Sequence, residues 1–466
     1  MADLVSSRIN VPLRGVVTAP GDKSCSHRTL MLGSVARGTS VIRGLLHSQD
    51  VYSTAMALRQ LGAHFDTDGN GDLRVTAPDM GFSPPHRDVD VGNSGTSARL
   101  LMGLLCGRGV SFGMNGDASL RRRPMRRVVD PLRQMGARID LHDENLPAQI
   151  DAVRRLRGLA YHMPVASAQV KSALLLATLC ADGVTTISEP APTRDHTERL
   201  LKFMGAVVDH ECSDSGAKTL RFAGGQDLRA ALLDVPGDPS SAAFLLGAAA
   251  MIPGSDVTVR NVMINPYRSG FMDTLVDMGA QISFDNQRPC CGENVADVRL
   301  VYAPLRAVDV PPERIPAMID EIPILSVVAA TIPGMTRMPA LAELRVKESD
   351  RLTALALGLN ACGVDARVAG DMLTVNGTPD RIGGGARIFA NLDHRIAMGF
   401  LILGLLAQNP VRVSGTETID SSFPSFAAMM EVLGARFDSV RDAGTVRVKT
   451  GGSRLAAQFV DLFGGR

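Results

Sequence analysis

LRQLGAHFD at 58–66 closes an apolar, helix-periodic stretch with a glycine and continues as a strand-like alternation of apolar and polar residues. The phrase returns as LRQMGARID at 132–140, LKFMGAVVD at 201–209, LVDMGAQIS at 275–283, LNACGVDAR at 359–367 and EVLGARFDS at 431–439. Its glycines, Gly62, Gly136, Gly205, Gly279, Gly363 and Gly434, stand 74, 69, 74, 84 and 71 residues apart. One grammar recurring at so long a period marks an internal structural repeat. The physical reading is a helix ended by a glycine cap, then a strand. A polar turn and a second strand usually follow, as in DGNGDLRVTA at 68–77 and RDAGTVRVKT at 441–450.

Upstream of each phrase lies a second helical stretch, near Ser26–Ala36, Ser97–Cys106, Val170–Cys180, Ser241–Met251, Ile322–Ile332 and Ile396–Ala407. These are apolar on nearly every face, which predicts burial on every face. A turn and a strand join the two helices, as in GTSVIRGL at 38–45 and GVTTISEP at 183–190. Each repeat therefore holds a buried helix, a strand, an amphipathic helix and a strand pair. Three repeats precede DVPGDPSS at 234–241 and three follow it, and Pro236, Gly237 and Pro239 mark that segment as a crossing between domains. A second crossing is expected near Pro20–Gly21, with the N-terminal strand returning to the second domain. The predicted lobes are 21–237, and 1–20 plus 238–466. A continuous solenoid is the alternative, but the Pro/Gly break divides the repeats evenly.

Composition narrows the function. A chain of 466 residues exceeds one ordinary domain, and 45% hydrophobic with 21% charged residues is the balance of a globular protein with a large core. The formal net charge of +1 argues against a dedicated nucleic-acid or anionic-membrane binder, so any anion site must concentrate positive charge locally. Seven scattered cysteines suit a reduced protein, and the absence of C-x-x-C and H-E-x-x-H leaves metal binding without support in the sequence. The start MADLVSSRINVPLRG lacks the apolar core of a signal peptide, and runs such as Phe400–Ala407 are too short for a bilayer. A cytoplasmic location is expected. No exposed apolar stripe marks a dimer interface, so a monomer is the default expectation.

The buried helices open with unusual residues: PGDKSCSHR, GNSGTSAR, ASAQVKS, GDPSSA, MIDEIP and NLDHRIA. A helix N-terminus offers unpaired N–H groups and partial positive charge, so several converging ends make an anion site. A single such end is more often a plain N-cap. PGDKS is not a nucleotide P-loop, because five residues rather than four stand between Gly15 and Gly21 and Asp22 precedes Lys23. LRRRPMRR at 120–127 packs five arginines into positions 121–127, at a helix start where they oppose the dipole. In LRVKESDRL at 344–352, with Ser349 opening a helix, Lys347 and Glu348 stand at its mouth and Arg351 one turn in. The trio Asp393–Arg395 opens a buried helix, where charge is costly unless used.

Together PGDKSCSHR, GNSGTSAR, RRRP, ASAQVKSA, TRDHTER, MIDEIPIL, RVKESDRL and DHRIAMG resemble the enolpyruvylshikimate-phosphate (EPSP) synthases, in order from Pro20 to Pro424. ASAQVKSA and RVKESDRL are similar to the second bacterial class of that family. The resemblance implies the enolpyruvyl transferase fold. That fold is α/β and inverted-barrel-like, with two similar domains of three β-α-β-α-β-β units and an active site in the interdomain cleft. It implies transfer of the enolpyruvyl group of phosphoenolpyruvate to the 5-hydroxyl of shikimate 3-phosphate, in the pathway to chorismate and aromatic amino acids. Neither a redox cofactor nor a metal is called for.

By motif, the resemblance makes Lys23 and Glu348 the proton-transfer groups and gives Asp320 the proton of the attacking hydroxyl, with His394 a further participant. Lys23, Gly95, Arg123 and Gln169 would receive the phosphate of phosphoenolpyruvate, and Arg351 and Arg395 its carboxylate. Lys23, Ser24, Arg28, Ser167, Gln169, Arg194, Asp320 and Lys347 would hold shikimate 3-phosphate. Gly95 leaves room for a phosphonate, as in glyphosate-sensitive members. The family pattern is broken at Ala168, where a serine is usual, at Glu343, where an asparagine is usual, and at Ser421, where many members have lysine. The nearest rival is the enolpyruvyl transferase of UDP-N-acetylglucosamine, which typically uses a cysteine-bearing loop where this chain reads ASLRRRPM at 118–125. A non-catalytic binder of phosphorylated metabolites is a rival of another kind, and would not need Lys23, Asp320 and Glu348 together.

Overall fold

Every one of the six repeated glycines takes a left-handed backbone, with φ between +82° and +109°. The computed structural model describes residues 3–68, 71–212, 218–378, 382–441 and 444–446. At the first phrase Gly62 N–H donates to Arg59 C=O and Ala63 N–H to Leu58 C=O, and the same two bonds recur at all six, ending with Gly434 to Glu431 and Ala435 to Met430. This is the Schellman arrangement: it satisfies two orphan carbonyls at the helix end and turns the chain into the strand. A side chain at that φ would be strained, which is why glycine recurs.

The strands form six sheets, and among the described residues none closes into a barrel. One plan runs through them. In the second repeat Val89–Asp90 pairs in parallel with Phe112–Asn115 across the buried helix Gly95–Gly107. Phe112–Asn115 then pairs antiparallel with Asn145–Asp151, whose hairpin partner is Arg138–His142. A parallel pair needs a crossover helix and an antiparallel pair only a turn, so each repeat yields both kinds. The third repeat matches, with Ala160–His162, Val184–Ser188, Lys218–Ala223 and Val208–Cys212.

The described chain groups into two compact units, one comprising Gly21–Val235 with Cys290–Glu293, the other Met1–Pro20, Pro236–Pro289 and the stretch from Asn294. Each contains three β-α-β-α-β-β repeats in a two-domain α/β architecture. Strand exchange in the chain order completes the sheets. Arg14–Thr18 pairs in parallel with Asp256–Met263, and Leu232–Asp234 with Thr39–Arg43. The first strand, Asp3–Ser6, lies between Val411–Ser414 and Phe437–Arg441. The fifth sheet has three strands, and a single parallel bridge, Asp309 to Arg337, stands where the other sheets have a fourth. The expected strand end at 447–450, and the lobe's extension to 466, lie outside the described residues.

Six helices sit inside the layers: Lys23–Gly33, Gly95–Gly107, Ala168–Thr178, Pro239–Met251, Ile322–Ala330 and His394–Gly404. Most start two or three residues earlier than their apolar patterns suggest, because the polar residues that open them are helical too. Every residue of Pro239–Met251 and Ile322–Ala330 is buried. In the other unit Gly95–Gly107 and Ala168–Thr178 pack backbone to backbone. A Cβ on Gly103 would fall 2.1 Å from Ala173 O, and one on Gly107 2.5 Å from Ala177 O. Among the described residues no helix is long and apolar enough to cross a membrane.

Candidate active site

The predicted site residues divide between the units. Lys23, Ser24, Arg28, Gly95, Arg123, Ser167, Gln169 and Arg194 lie in the Gly21–Val235 unit, and Asp320, Lys347, Glu348, Arg351, His394 and Arg395 in the other.

In the first unit the sites are built on three helix starts. Asp22 caps Lys23–Gly33 by accepting from Cys25 N–H at 2.7 Å, and Ser94 and Ser167 cap the next two buried helices. Lys23 Nζ lies 3.0 Å from Asp50, a largely buried carboxylate in the first turn of Gln49–Gln60. Arg28, 4% exposed, spends its guanidinium on neutral acceptors: Thr197 Oγ1 at 2.7 Å, Ser24 C=O at 2.9 Å and Ser172 Oγ at 2.8 Å. Burial holds its pKa below the ordinary arginine value, and Arg194 pushes the same way. Arg123, also buried, leans on Asn93 through both side-chain and backbone oxygens, and its Nε has no partner among the described residues. Gln169 joins this cluster by accepting from Arg99 at 3.0 Å and donating to Thr96 at 3.2 Å. Gly95 sits beneath both arginines, so close that a Cβ there would lie 2.7 Å from Arg99 Nη1 and 3.3 Å from Arg123 Nη1. Ser167 accepts from Val170 N–H at 3.4 Å, which leaves its hydroxyl hydrogen to donate elsewhere.

Arg28 and Arg123 thus form no ion pair with a carboxylate among the described residues. Buried positive charge is costly in a protein interior, and an anion would offset it; at Arg28, Asp22 and Glu198 already offset part of it from beyond contact distance.

The second unit shows the opposite balance. Arg351, 1% exposed, meets three carboxylates: Asp393 at 2.7 Å through Nε, Asp320 at 3.1 Å through Nη1 and Glu348 at 2.6 Å through Nη2. Burial alone would lower its pKa, but Asp393, Glu348 and Asp320 together hold it above the ordinary range. A guanidinium carries five N–H groups, so one on each terminal nitrogen is left over for a further acceptor. Lys347 Nζ lies 3.3 Å from Asp320. Arg395 donates to the Asp320 carbonyl at 2.9 Å and stands 3.7 Å from Glu321. His394 Nδ1 is 3.4 Å from Ser421 Oγ, the position where many EPSP synthases have lysine.

Asp393 organises this group. It caps its own helix by accepting from Arg395 N–H at 3.0 Å and also takes Arg351 Nε and Ser349 Oγ. The chain reaches it through two consecutive left-handed residues, Asn391 (φ +50°) and Leu392 (φ +64°). For leucine that backbone costs roughly 1–2 kcal/mol, and such strain concentrates where the surrounding structure needs one geometry.

One expectation needs correction. The helix after RVKESD begins at Arg351, with Asp350 as its cap, so Arg351 opens the helix rather than lying one turn in. Ser349 instead donates to Asp393, while Asp350, three residues before Thr353, accepts the Thr353 N–H. Side-chain caps occupy one N–H at five of the six buried-helix starts. Of the five arginines in LRRRPMRR, only Arg123 is buried, between a short 3-10 turn at Leu120–Arg122 and the helix Arg126–Gln134.

Residues the sequence did not assign to the site complete the picture: Asp50 opposite Lys23, Arg99 and Asn93 around Gly95, and Asp393, noted in the sequence only as a buried charge, beneath Arg351. Arg99 and Asp393 stood within quoted motifs, but Asp50 in HSQDV carried no signal of its own. Buried Lys171 forms ion pairs with Glu189 at 2.9 Å and Glu198 at 2.8 Å, beneath the Ser167–Gln169 turn. A separate cavity of about 530 Å³, lined by Arg14, Ser255, Asp256, Arg299 and Tyr302, contains none of the predicted site residues. Its Arg299 already donates to Asp256 through Nε at 2.8 Å and Nη2 at 2.7 Å.

Known proteins resemble this chain along almost its whole length. A family model described as EPSP synthase (3-phosphoshikimate 1-carboxyvinyltransferase) matches residues 7–430. A 3-phosphoshikimate 1-carboxyvinyltransferase of Methylobacterium sp. (strain 4-46) is 49% identical over 439 residues, 93% of this chain and 98% of that protein. One from Rhodospirillum rubrum is 49% identical over 432 residues, 91% of this chain and 96% of its own. The solved EPSP synthase from Acinetobacter baumannii is 38% identical with a TM-score of 0.84, covering 95% of this chain and 100% of that one.

Proposed function

Because the chain belongs to the EPSP synthase (3-phosphoshikimate 1-carboxyvinyltransferase) family, we propose a division of labour in which the Gly21–Val235 unit supplies Lys23 and the arginines that meet phosphate, and the other unit supplies the catalytic carboxylates and the arginines that meet the carboxylate of phosphoenolpyruvate. The reaction is transfer of the enolpyruvyl group of phosphoenolpyruvate to the 5-hydroxyl of shikimate 3-phosphate, with release of phosphate. The observation that carries the division is the contrast between buried Arg28 and Arg123, which have no ion-pair partner among the described residues, and buried Arg351, which has three.

Arg123, with Lys23, Gln169 and the open backbone at Gly95, receives the phosphate of phosphoenolpyruvate. Ser24, Arg28, Ser167 and Arg194 hold the phosphate-bearing substrate, helped by Lys23, Gln169, Asp320 and Lys347. The neutral anchors of Arg28 support this role, since they orient the guanidinium without neutralising it. The spare N–H groups of Arg351, with Arg395, take the phosphoenolpyruvate carboxylate in a charge-assisted fork.

Lys23 and Glu348 exchange the proton at the methylene carbon of phosphoenolpyruvate. Protonation there leaves C2 electron-poor, the 5-oxygen bonds to C2, and Asp320 accepts the hydroxyl proton. In the second half the C2–O bond to phosphate breaks, a proton leaves the new methyl group, and the vinyl double bond returns. Lys347 near Asp320 steadies the charge that moves there, and His394 hydrogen-bonds at the same helix start. Cationic groups aimed at the developing phosphate charge lower the barrier most where water is excluded.

Free cysteines at 25, 106, 180, 290, 291 and 362 suit a reducing compartment, and a cytoplasmic monomer is the proposed working state. Incubation with shikimate 3-phosphate and phosphoenolpyruvate should release phosphate, and replacing the first substrate with UDP-N-acetylglucosamine should not. Release with the UDP-sugar alone would overturn the assignment, and release with neither would make the protein a binder only.

A further inference from the structure

One buried cluster has no part in this chemistry. Cys25 lies on the Lys23–Gly33 helix, His196 opens the helix His196–Phe203, and Glu293 follows the tight turn at Cys291–Gly292. One ligand-type atom from each, a thiol sulfur, an imidazole nitrogen and a carboxylate oxygen, lies within 4.8 Å of the other two. All three residues are buried, at 6%, 1% and 3% exposure. The members are fixed from outside. Glu293 Oε1 is 2.7 Å from His196 Nδ1, and Arg199 reaches Glu293 Oε2 at 3.5 Å while bound to Asp195 at 2.8 Å. The turn is pressed against the same helix, where a Cβ on Gly292 would fall 2.8 Å from Arg199 O.

We propose that Cys25, His196 and Glu293 form a structural binding site for a borderline divalent cation, zinc by preference. Sulfur, nitrogen and oxygen donors in one dry pocket suit Zn²⁺ better than Mg²⁺ or Ca²⁺, which take oxygen alone. Three protein ligands leave the fourth tetrahedral position to water. Around such an ion the donor atoms stand roughly 3.3–3.6 Å apart, so the His196–Glu293 contact opens slightly and the sulfur closes in. Binding displaces the thiol proton of Cys25 to solvent. With thiolate and carboxylate counted against Arg28 and Arg199, and with Asp22 and Asp195 alongside, the pocket is left negative enough for a dication.

The consequence is mechanical. The ion joins the helix that carries Lys23, Ser24 and Arg28 to the helix that begins two residues after Arg194, and holds the turn at 290–293 against both. Arg28 already bridges those helices through Thr197. The ligands come from three distant segments, so no local sequence spacing announces them.

The test uses the full chain, stripped with a chelator and reloaded with Zn²⁺ or Co²⁺. About one ion per chain should survive desalting, and the cobalt form should show a near-ultraviolet thiolate-to-metal charge-transfer band. Cys25→Ser should abolish the band, and Glu293→Gln should weaken retention by about tenfold or more. Less than about 0.1 ion per chain, or a wild-type cobalt spectrum without the thiolate band, overturns the proposal whatever the variants do. A band that persists in Cys25→Ser overturns it too, by placing the metal elsewhere.

Discussion

Adding one methyl group at Gly95 or at Gly103 should damage the protein in two separate ways. At Gly95 the new Cβ would meet Arg99 Nη1 at 2.7 Å, Arg123 Nη1 at 3.3 Å and Leu120 Cδ1 at 3.7 Å. The nearest neighbours are ends of flexible side chains, so Arg99 retreats by about 0.7 Å to reach ordinary contact and the fold absorbs the change. Its bonds to Gln169 and the Gly95 carbonyl loosen, and Arg123 turns from its place. Loss of one charge-assisted bond to the phosphate, worth about 1.5–3 kcal/mol, corresponds to a roughly 10–150-fold weaker affinity for phosphoenolpyruvate.

At Gly103 the methyl would fall 2.1 Å from the backbone oxygen of Ala173, on a packed helix that cannot bend aside. Overpacking of that kind costs about 1–3 kcal/mol, offset by up to about 1 kcal/mol of helix propensity. Steady-state kinetics with varied phosphoenolpyruvate, paired with thermal melts, separates the two. Gly95→Ala should raise KM for phosphoenolpyruvate at nearly constant Tm, while Gly103→Ala should lower Tm by several degrees at nearly constant KM. A Gly95→Ala enzyme with KM within about threefold of the parent, or with the larger loss of Tm, would refute the reasoning.

Other outcomes follow from the same contacts. Lys23→Met and Glu348→Ala should each reduce turnover by about two orders of magnitude or more with the folded state retained; near-normal turnover removes that role from the residue. Lys171→Met leaves Glu189 and Glu198 buried without their cation, which should cost about 3–5 kcal/mol in denaturant titrations. Burial alone would lower the Lys171 pKa, but Glu198 and Glu189 raise it above 10.5, so its stabilisation is complete below pH 10.5 and is lost as pH rises through the folded value. Burial also raises the Glu198 pKa, with Lys171 opposing that rise. Buried Asp3 accepts from Arg412 at 2.7 Å and Arg387 at 3.1 Å. Burial raises its pKa, but the Arg412 and Ser414 contacts outweigh it, and the net value lies below 3.8. Its stabilisation therefore holds above pH 3.8 and is lost as pH falls through the lower folded value. Asp3→Asn should flatten that part of the acid-unfolding curve, and an unchanged curve counts against the assignment.

The repeat was legible because a Schellman cap demands a left-handed residue, and only glycine takes that backbone without strain. Six copies of one local requirement therefore wrote the architecture into the sequence, and the Pro/Gly break at Asp234–Ser241 divided it in two. Motif wording identified the reaction and most side chains that would carry it. Local spacing did not reveal what those side chains do to each other. Arg351 reads as a free clamp in RVKESDRL, yet folding adds Asp320 and Asp393 from two distant segments to Glu348 of its own motif. Arg28 and Arg123 look like two arginines among 49 basic residues, and only burial beside neutral acceptors sets them apart as unpaired cations. Asp50, Arg99 and the Cys25–His196–Glu293 cluster were invisible for the same reason. Backbone conformation is a property of a few neighbouring residues, so a sequence can state it. The balance of charge in a buried site is set by side chains far apart in the chain, and only the tertiary structure brings them within reach.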